Sequence, residues 1–258
     1  AGDAPGLAGH AVNPVFAWRN VLAYGLLGLP LAFAALPLYV ILPNHYAREF
    51  GVPLATLGAV LLGARLFDAF IDPALGRLTD RLFARATAAV LALGAAAALV
   101  LASGFALLFF PLVSEPGALV IWATTMLMVT YAGYSALSVA HQSWAAMLGG
   151  NEAQRSRIVA WREGLGLLGV VTASVLPVLL GLPITTAVFF AALVMGWWGW
   201  QSTVRPVTLT EHAASETLSP CQLSAAAGSV HAERHRQRHT GDAGLVFHPR
   251  QARCTGEF

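Results

Sequence analysis

The chain has 258 residues, of which 57% are hydrophobic and only 11% charged, against roughly 25% charged in a soluble domain. Such a composition excludes an ordinary water-soluble enzyme or binding module and indicates a membrane protein. The net charge of +2 gives no ground for a nucleic-acid partner, and two cysteines, Cys221 and Cys254, do not make a disulfide framework.

Residues 1–19 have no short basic start followed by a compact apolar core, so they read as a cytoplasmic segment rather than a cleaved signal. A bilayer-crossing helix needs about 20 mostly apolar residues. Six runs qualify: 20–42, 54–78, 86–112, 118–148, 156–182 and 184–202. In lipid the backbone must satisfy its own hydrogen bonds, so the expected fold class is an all-α membrane bundle of six helices. Span one carries Pro30 and Pro37, with Gly25 and Gly28 nearby, and is expected to bend.

Span two, LATLGAVLLGARLFDAFIDPALG, places Arg65, Asp68 and Asp72 in an otherwise apolar run. At 3.6 residues per turn the two acids stack on one face, with Arg65 on nearly the same face. A central charge costs about 2.5–3.5 kcal/mol on insertion, so all three need a protein interior or a watery cavity. Two readings follow. Arg65 neutralises one acid and locks two helices together, or the paired carboxylates offer hard oxygen ligands to a small cation or relay a proton. The second is preferred, because Arg65 leaves the other acid without a partner on its own helix.

Behind span two lie Arg77, Arg81 and Arg85, and behind span four Arg155 and Arg157, whereas the opposite loops carry Arg48 alone. Arginine-rich short loops stay cytoplasmic, so both ends of the block are expected there. Spans three and five are rich in small residues (LGAAAALVLASG, GLGLLGVVTAS), which suits close helix packing. Span four ends in a polar series in which Tyr134, Ser138 and His141 share a face. They are candidate solute contacts, with His141 open equally to a hydrogen bond with a neighbouring helix. Span five opens IVAWREGLGLLG, where Arg162 and Glu163 sit one to two turns inside. They form either a snorkelling interfacial pair or part of the solute site.

The stretch LPLYVILPNHYAREFGVPLATLGAVLLGARLFDAFIDPALGRLTDR, with its R-x-x-D-x-x-x-D-P core (Arg65, Asp68, Asp72, Pro73), resembles the glycoside–pentoside–hexuronide:cation symporters. These are the melibiose-permease-like branch of the major facilitator superfamily. GRLTDR followed by Arg85 resembles the superfamily's G-x-x-x-D-R-x-x-x-R loop, carried by Gly76, Asp80, Arg81 and Arg85. VAHQSWAAM and QRSRIVAWREGLGLLG extend the likeness, which covers about residues 20–200. The resemblance implies that Asp68 and Asp72 bind a coupling Na⁺ or H⁺ and that Arg162 lies near the solute. It also implies alternating access between two six-helix halves in a bacterial cytoplasmic membrane. Galactoside-binding members carry an acid in span one, where this chain has Leu29 and Pro30, and another in span four near Ser138. The solute is therefore expected to be small and polar, with a sugar or glycoside as one candidate.

That fold has twelve spans and this chain has six, so a C-terminal six-helix half is an expected partner, beside the lipid bilayer and the solute. From residue 203 the composition turns polar and rich in histidine and arginine, with His231, His235 and His239 at four-residue intervals. Plausible codons for this tail, read one base later, can spell an apolar segment similar to a seventh span. The tail is accordingly expected to be out of frame from a point between 201 and 222, and poorly ordered as written. The alternatives to a working transporter are an inactive truncated fragment or a membrane-embedded metal protein or enzyme using His141 and the tail histidines. No nucleophile–base pair or metal-ligand spacing falls within the spans. No enzyme activity, cofactor or resident metal is therefore expected.

Overall fold

A computed structural model describes residues 17–206, all within one compact unit. The first 16 residues and the tail beyond 206, with its cysteines and spaced histidines, lie outside the described residues. Among the described residues, five helices are long and apolar enough to cross a membrane. They are the first (Trp18–Glu49), second (Leu54–Arg85), third (Thr87–Phe109), fourth (Pro116–Met147) and fifth (Glu152–Gln201).

Both prolines of the first helix interrupt it. Pro30 has no N–H to give the Leu26 carbonyl, and there the helix loosens into a turn, with Leu29 bonding back to Leu26 at 3.3 Å. Pro37 opens a π-helical turn, Pro37–Ile41, closed by the Leu42 N–H on the Pro37 carbonyl. That turn holds one more residue than an α-turn. The helix ends at Gly51, whose φ of 67° is a left-handed conformation that needs no Cβ.

The fifth helix has 50 residues, or about 75 Å at 1.5 Å per residue, more than twice a bilayer core of ~30 Å. It breaks at Gly181 (φ 79°, ψ 171°), two residues before Pro183. Contacts along the first helix show what the break does. On the near limb, residues 152–180, Gly25 faces Trp161 and Leu165, Gly28 faces Arg162, and Leu29 and Phe33 face Gly169. Residue numbers rise together, so the two run parallel. On the far limb, residues 182–201, Phe33 stacks on Phe189 at 5.7 Å, Leu27 meets Gly196 and Ala23 meets Gly199. The order is reversed, so the chain turns back at Gly181 and both limbs pack on the first helix.

The other directions follow the same way. Gly104 meets Thr130 and Gly133 meets Ala97 and Leu101, so the third and fourth helices are antiparallel. Leu57 and Leu61 share a small cavity with Ala123 and Leu127, and Phe83 packs on Trp144 at 6.0 Å, so the second and fourth run parallel. The result is an up-and-down bundle. Since lipid is as apolar as the helices, close packing rather than water exclusion drives association. Near the middle, Phe105 lies 4.4 Å from Phe189 and 4.9 Å from Phe109. At the end of the bundle that holds Val21 and Trp144, Trp200 packs edge-on against Trp144 and Trp197. Exposed Phe70, Leu99, Val178 and Trp198 are what a lipid-facing surface presents.

One expected loop is helical. The second helix continues through Arg85, so Gly76, Asp80, Arg81 and Arg85 ride on its last three turns. Phe83, buried against Trp144, anchors that extension to the fourth helix.

Candidate solute and cation site

Asp68 is the buried carboxylate of the described residues, 8% exposed in the middle of the second helix. Both its oxygens are engaged. The Ser135 hydroxyl on the fourth helix donates to Oδ1, and Arg65, one turn back, reaches Oδ2 at 3.4 Å. The Arg65 guanidinium also lies over the Tyr39 ring, 4.1 Å from its centroid, and 5.5 Å from that of Tyr131. Contacts of this type contribute about 0.5–2 kcal/mol according to exposure, and Arg65 is 49% exposed. Tyr39 belongs to the π-helical turn, so the irregularity at Pro37 supplies the ring that faces Arg65. Asp72 has a different environment. One turn beyond Asp68, it is exposed and makes no hydrogen bond or ion pair with a described residue.

A second ion pair lies on the near limb of the fifth helix. Arg162 donates from Nε and Nη2 to Oε1 of Glu163, at 3.1 and 2.6 Å. The limb starts on a capping box in which Asn151 and Gln154 each accept the other's backbone N–H at 2.9 Å. Tyr134, half-buried on the fourth helix, lies within electrostatic range of both ion pairs: Arg65 and Asp68, and Arg162 and Glu163. Ser138, one turn on, accepts from Gln142 at 2.8 Å. Tyr134, Ser138 and Arg162 are thus half-buried groups with polar atoms near a partly open face.

His141 lies beneath the surface. Fully buried, it donates from Nε2 to the Tyr24 carbonyl at 3.0 Å, while the Tyr24 hydroxyl donates to the His141 carbonyl at 2.8 Å. The two rings stack at 4.0 Å, and Trp200 closes the other edge at 5.5 Å. Of the two roles open to His141 in the sequence, solute contact and a hydrogen bond to a neighbouring helix, these contacts supply the second: it joins the first helix to the fourth. Replacing it with alanine would delete a large buried side chain and is expected to lower stability by about 2–4 kcal/mol. Thermal unfolding in detergent measures that loss, and half-saturation for solute should not move in the protein that remains folded.

Sequence reading missed Tyr39, Ser135 and Tyr24. Ser135 could have been suspected, since it lies four residues after Tyr131 in the same polar series; the other two carry no local signal. Among the described residues no group of three His, Cys, Asp or Glu side chains could hold a metal ion. Gly76, Asp80, Arg81 and Arg85 form no ion pair with a described residue.

A bundle of membrane-length helices with a buried carboxylate midway along one of them has the construction of a transporter. Residues 22–214 match the family described as MFS/sugar transport protein. No curated protein matches. The chain belongs to the MFS/sugar transport protein family of membrane transporters.

Proposed function

We propose that this chain supplies the N-terminal six-span bundle of a symporter that couples Na⁺ or H⁺ to a small polar solute, a sugar or glycoside being the leading candidate. The hairpin at Gly181 supports counting the fifth helix as two crossings, and the cytoplasmic arginines support placing both ends inside the cell. The reading rests chiefly on Asp68, a carboxylate buried within a membrane helix, with Asp72 one turn away. Asp68 and Asp72 bind the coupling cation. Arg65 is its stand-in when the site is empty, and it has Tyr39 and Tyr131 to rest against when the cation displaces it. Tyr134, Ser138 and Arg162 face the solute. Glu163 holds Arg162 until a solute hydroxyl or carboxylate competes for it. Gly76, Asp80, Arg81 and Arg85 gate the cytoplasmic side.

Alternating access needs a second bundle to rock against this one around a midplane site. We put the change of reading frame late in the 201–222 window, because the family match runs in frame to residue 214; an intact single frame in the resequenced gene would sink that part. The function itself is tested by solute uptake into membrane vesicles under an imposed Na⁺ or H⁺ gradient. Expected are no uptake by this chain alone and gradient-driven uptake once a second bundle follows it in frame. Uptake indifferent to both gradients in the restored protein would refute coupling.

A further inference from the structure

The Tyr131 hydroxyl, on the fourth helix, is buried and has no hydrogen-bond partner among the described residues. A buried polar group left unpaired is costly, and in a native bundle it calls for a reason. Its surroundings supply one. The second and fourth helices run parallel, so as Ser135 meets Asp68, Tyr131, one turn before Ser135, meets Arg65, one turn before Asp68. The Tyr131 ring stacks on that of Tyr39 at 5.8 Å, and the Arg65 guanidinium lies over both. Arg65, Asp68 and Tyr134 are the charged or titratable groups within electrostatic range of the hydroxyl.

Arginine has five N–H donors and no acceptor. Arg65 holds one oxygen of Asp68 at 3.4 Å, a long contact, and its side chain is half exposed, which leaves it room to swing. A cation arriving at Asp68 brings a second positive charge to one carboxylate and drives the guanidinium off. The faces of Tyr39 and Tyr131 attract it but offer no lone pair. The phenolic oxygen of Tyr131 does.

We propose that the Tyr131 hydroxyl is the second seat of Arg65. It accepts a hydrogen bond from the guanidinium when a cation holds Asp68, and stands unpaired when Arg65 does. Tyr131 is a positioning residue: it sets how readily Arg65 yields, and so the affinity of the site, without touching the cation. The cost of the unpaired hydroxyl falls on the state in which Arg65 holds Asp68, and the bond forms only in the other. A hydroxyl with a merely structural role would act on both states alike. The inference rests on the cation reading of Asp68 given above.

The test uses the purified full chain in detergent. Thermal unfolding is followed through a titration with NaCl, choline chloride keeping the ionic strength constant, and separately through a titration with acid. The same titrations on Asp68→Asn isolate, by difference, the response of that carboxylate to each cation. Tyr131→Phe keeps the ring and removes one oxygen. In mildly alkaline choline buffer it should melt no lower than the parent. The half-saturating concentration of the cation to which Asp68 responds should rise about tenfold, the worth of one hydrogen bond to a charged group. If the parent and Asp68→Asn respond alike to both cations, the cation reading fails and this inference with it. If they differ but Tyr131→Phe keeps the parent's half-saturation, or melts lower by the same amount with and without the cation, the inference alone is overturned.

Discussion

Asp68→Asn in a transport-competent protein is expected to abolish gradient-driven uptake. Asparagine keeps the volume and can still accept the Ser135 hydroxyl that Asp68 accepts now. What it loses is the charge. At about 4 Å and an effective dielectric near 20, one unit charge holds a monovalent cation by ~4 kcal/mol, roughly a thousandfold in affinity. Asp72 is exposed, so water weakens its contribution toward ~1 kcal/mol, and Asp72→Asn should cost far less cation affinity. The ordering is the informative part, and cation-dependence of uptake measures it. If Asp68→Asn left uptake as responsive to Na⁺ and H⁺ as before, the cation site would lie elsewhere. Arg65 keeps its seat over Tyr39 in this variant, so lost coupling should come with a nearly unchanged melting temperature.

Gly169→Leu is expected to break the bundle. A Cβ at Gly169 would collide with the Leu29 carbonyl oxygen and come within 3.1 Å of the Phe33 nitrogen. Both are backbone atoms of the first helix and have no rotamer to move into. The near limb must back away, which loosens its parallel seam with the first helix. Overpacking alone costs about 1–3 kcal/mol; the further carbons of leucine and the opened seam should carry the loss beyond ~3 kcal/mol. Better helix propensity returns only about 1 kcal/mol. Gly164 is the control, on the same limb, where an added Cβ would have nothing within 4 Å. Gly164→Leu meets no such clash and should match the parent or exceed it by up to about 1 kcal/mol. Thermal unfolding of both in one detergent settles the comparison, and equal melting temperatures would show that the seam at Gly169 is not tight.

What could be seen beforehand was whatever is encoded along one stretch of chain. Continuous apolar runs announced membrane helices, Pro30 and Pro37 announced an irregular first helix, and the small residues around Gly166 and Gly169 announced a close approach. The stacking of Asp68, Asp72 and Arg65 on one face also follows from spacing alone. Spacing could not say that the Ser135 hydroxyl and Arg65 would both settle on Asp68, leaving Asp72 in the open. Which acid is buried depends on where the fourth helix crosses. The two roles of His141 stayed open for the same reason. Tyr24, its partner, is 117 residues away, and each bonds to the other's main chain, where residue identity leaves no trace. The extension of the second helix to Arg85 was hidden because its last turns are charged; Phe83 and Trp144 hold it by a contact no local pattern reveals.

The hairpin at Gly181 also sets a schedule. The first helix finds its closest neighbours, Gly169, Phe189, Gly196 and Gly199, in the last-made part of the described chain. At 5–20 residues per second, roughly 10–30 s separate the synthesis of Leu27 from that of Gly196. Through that interval the backbone at Leu26 and Leu27, already loosened by Pro30, has no far limb against it. The newest of the described segments seals the bundle, and until then the Leu27 face of the oldest one is left to the lipid or to whatever chaperone guards the exit.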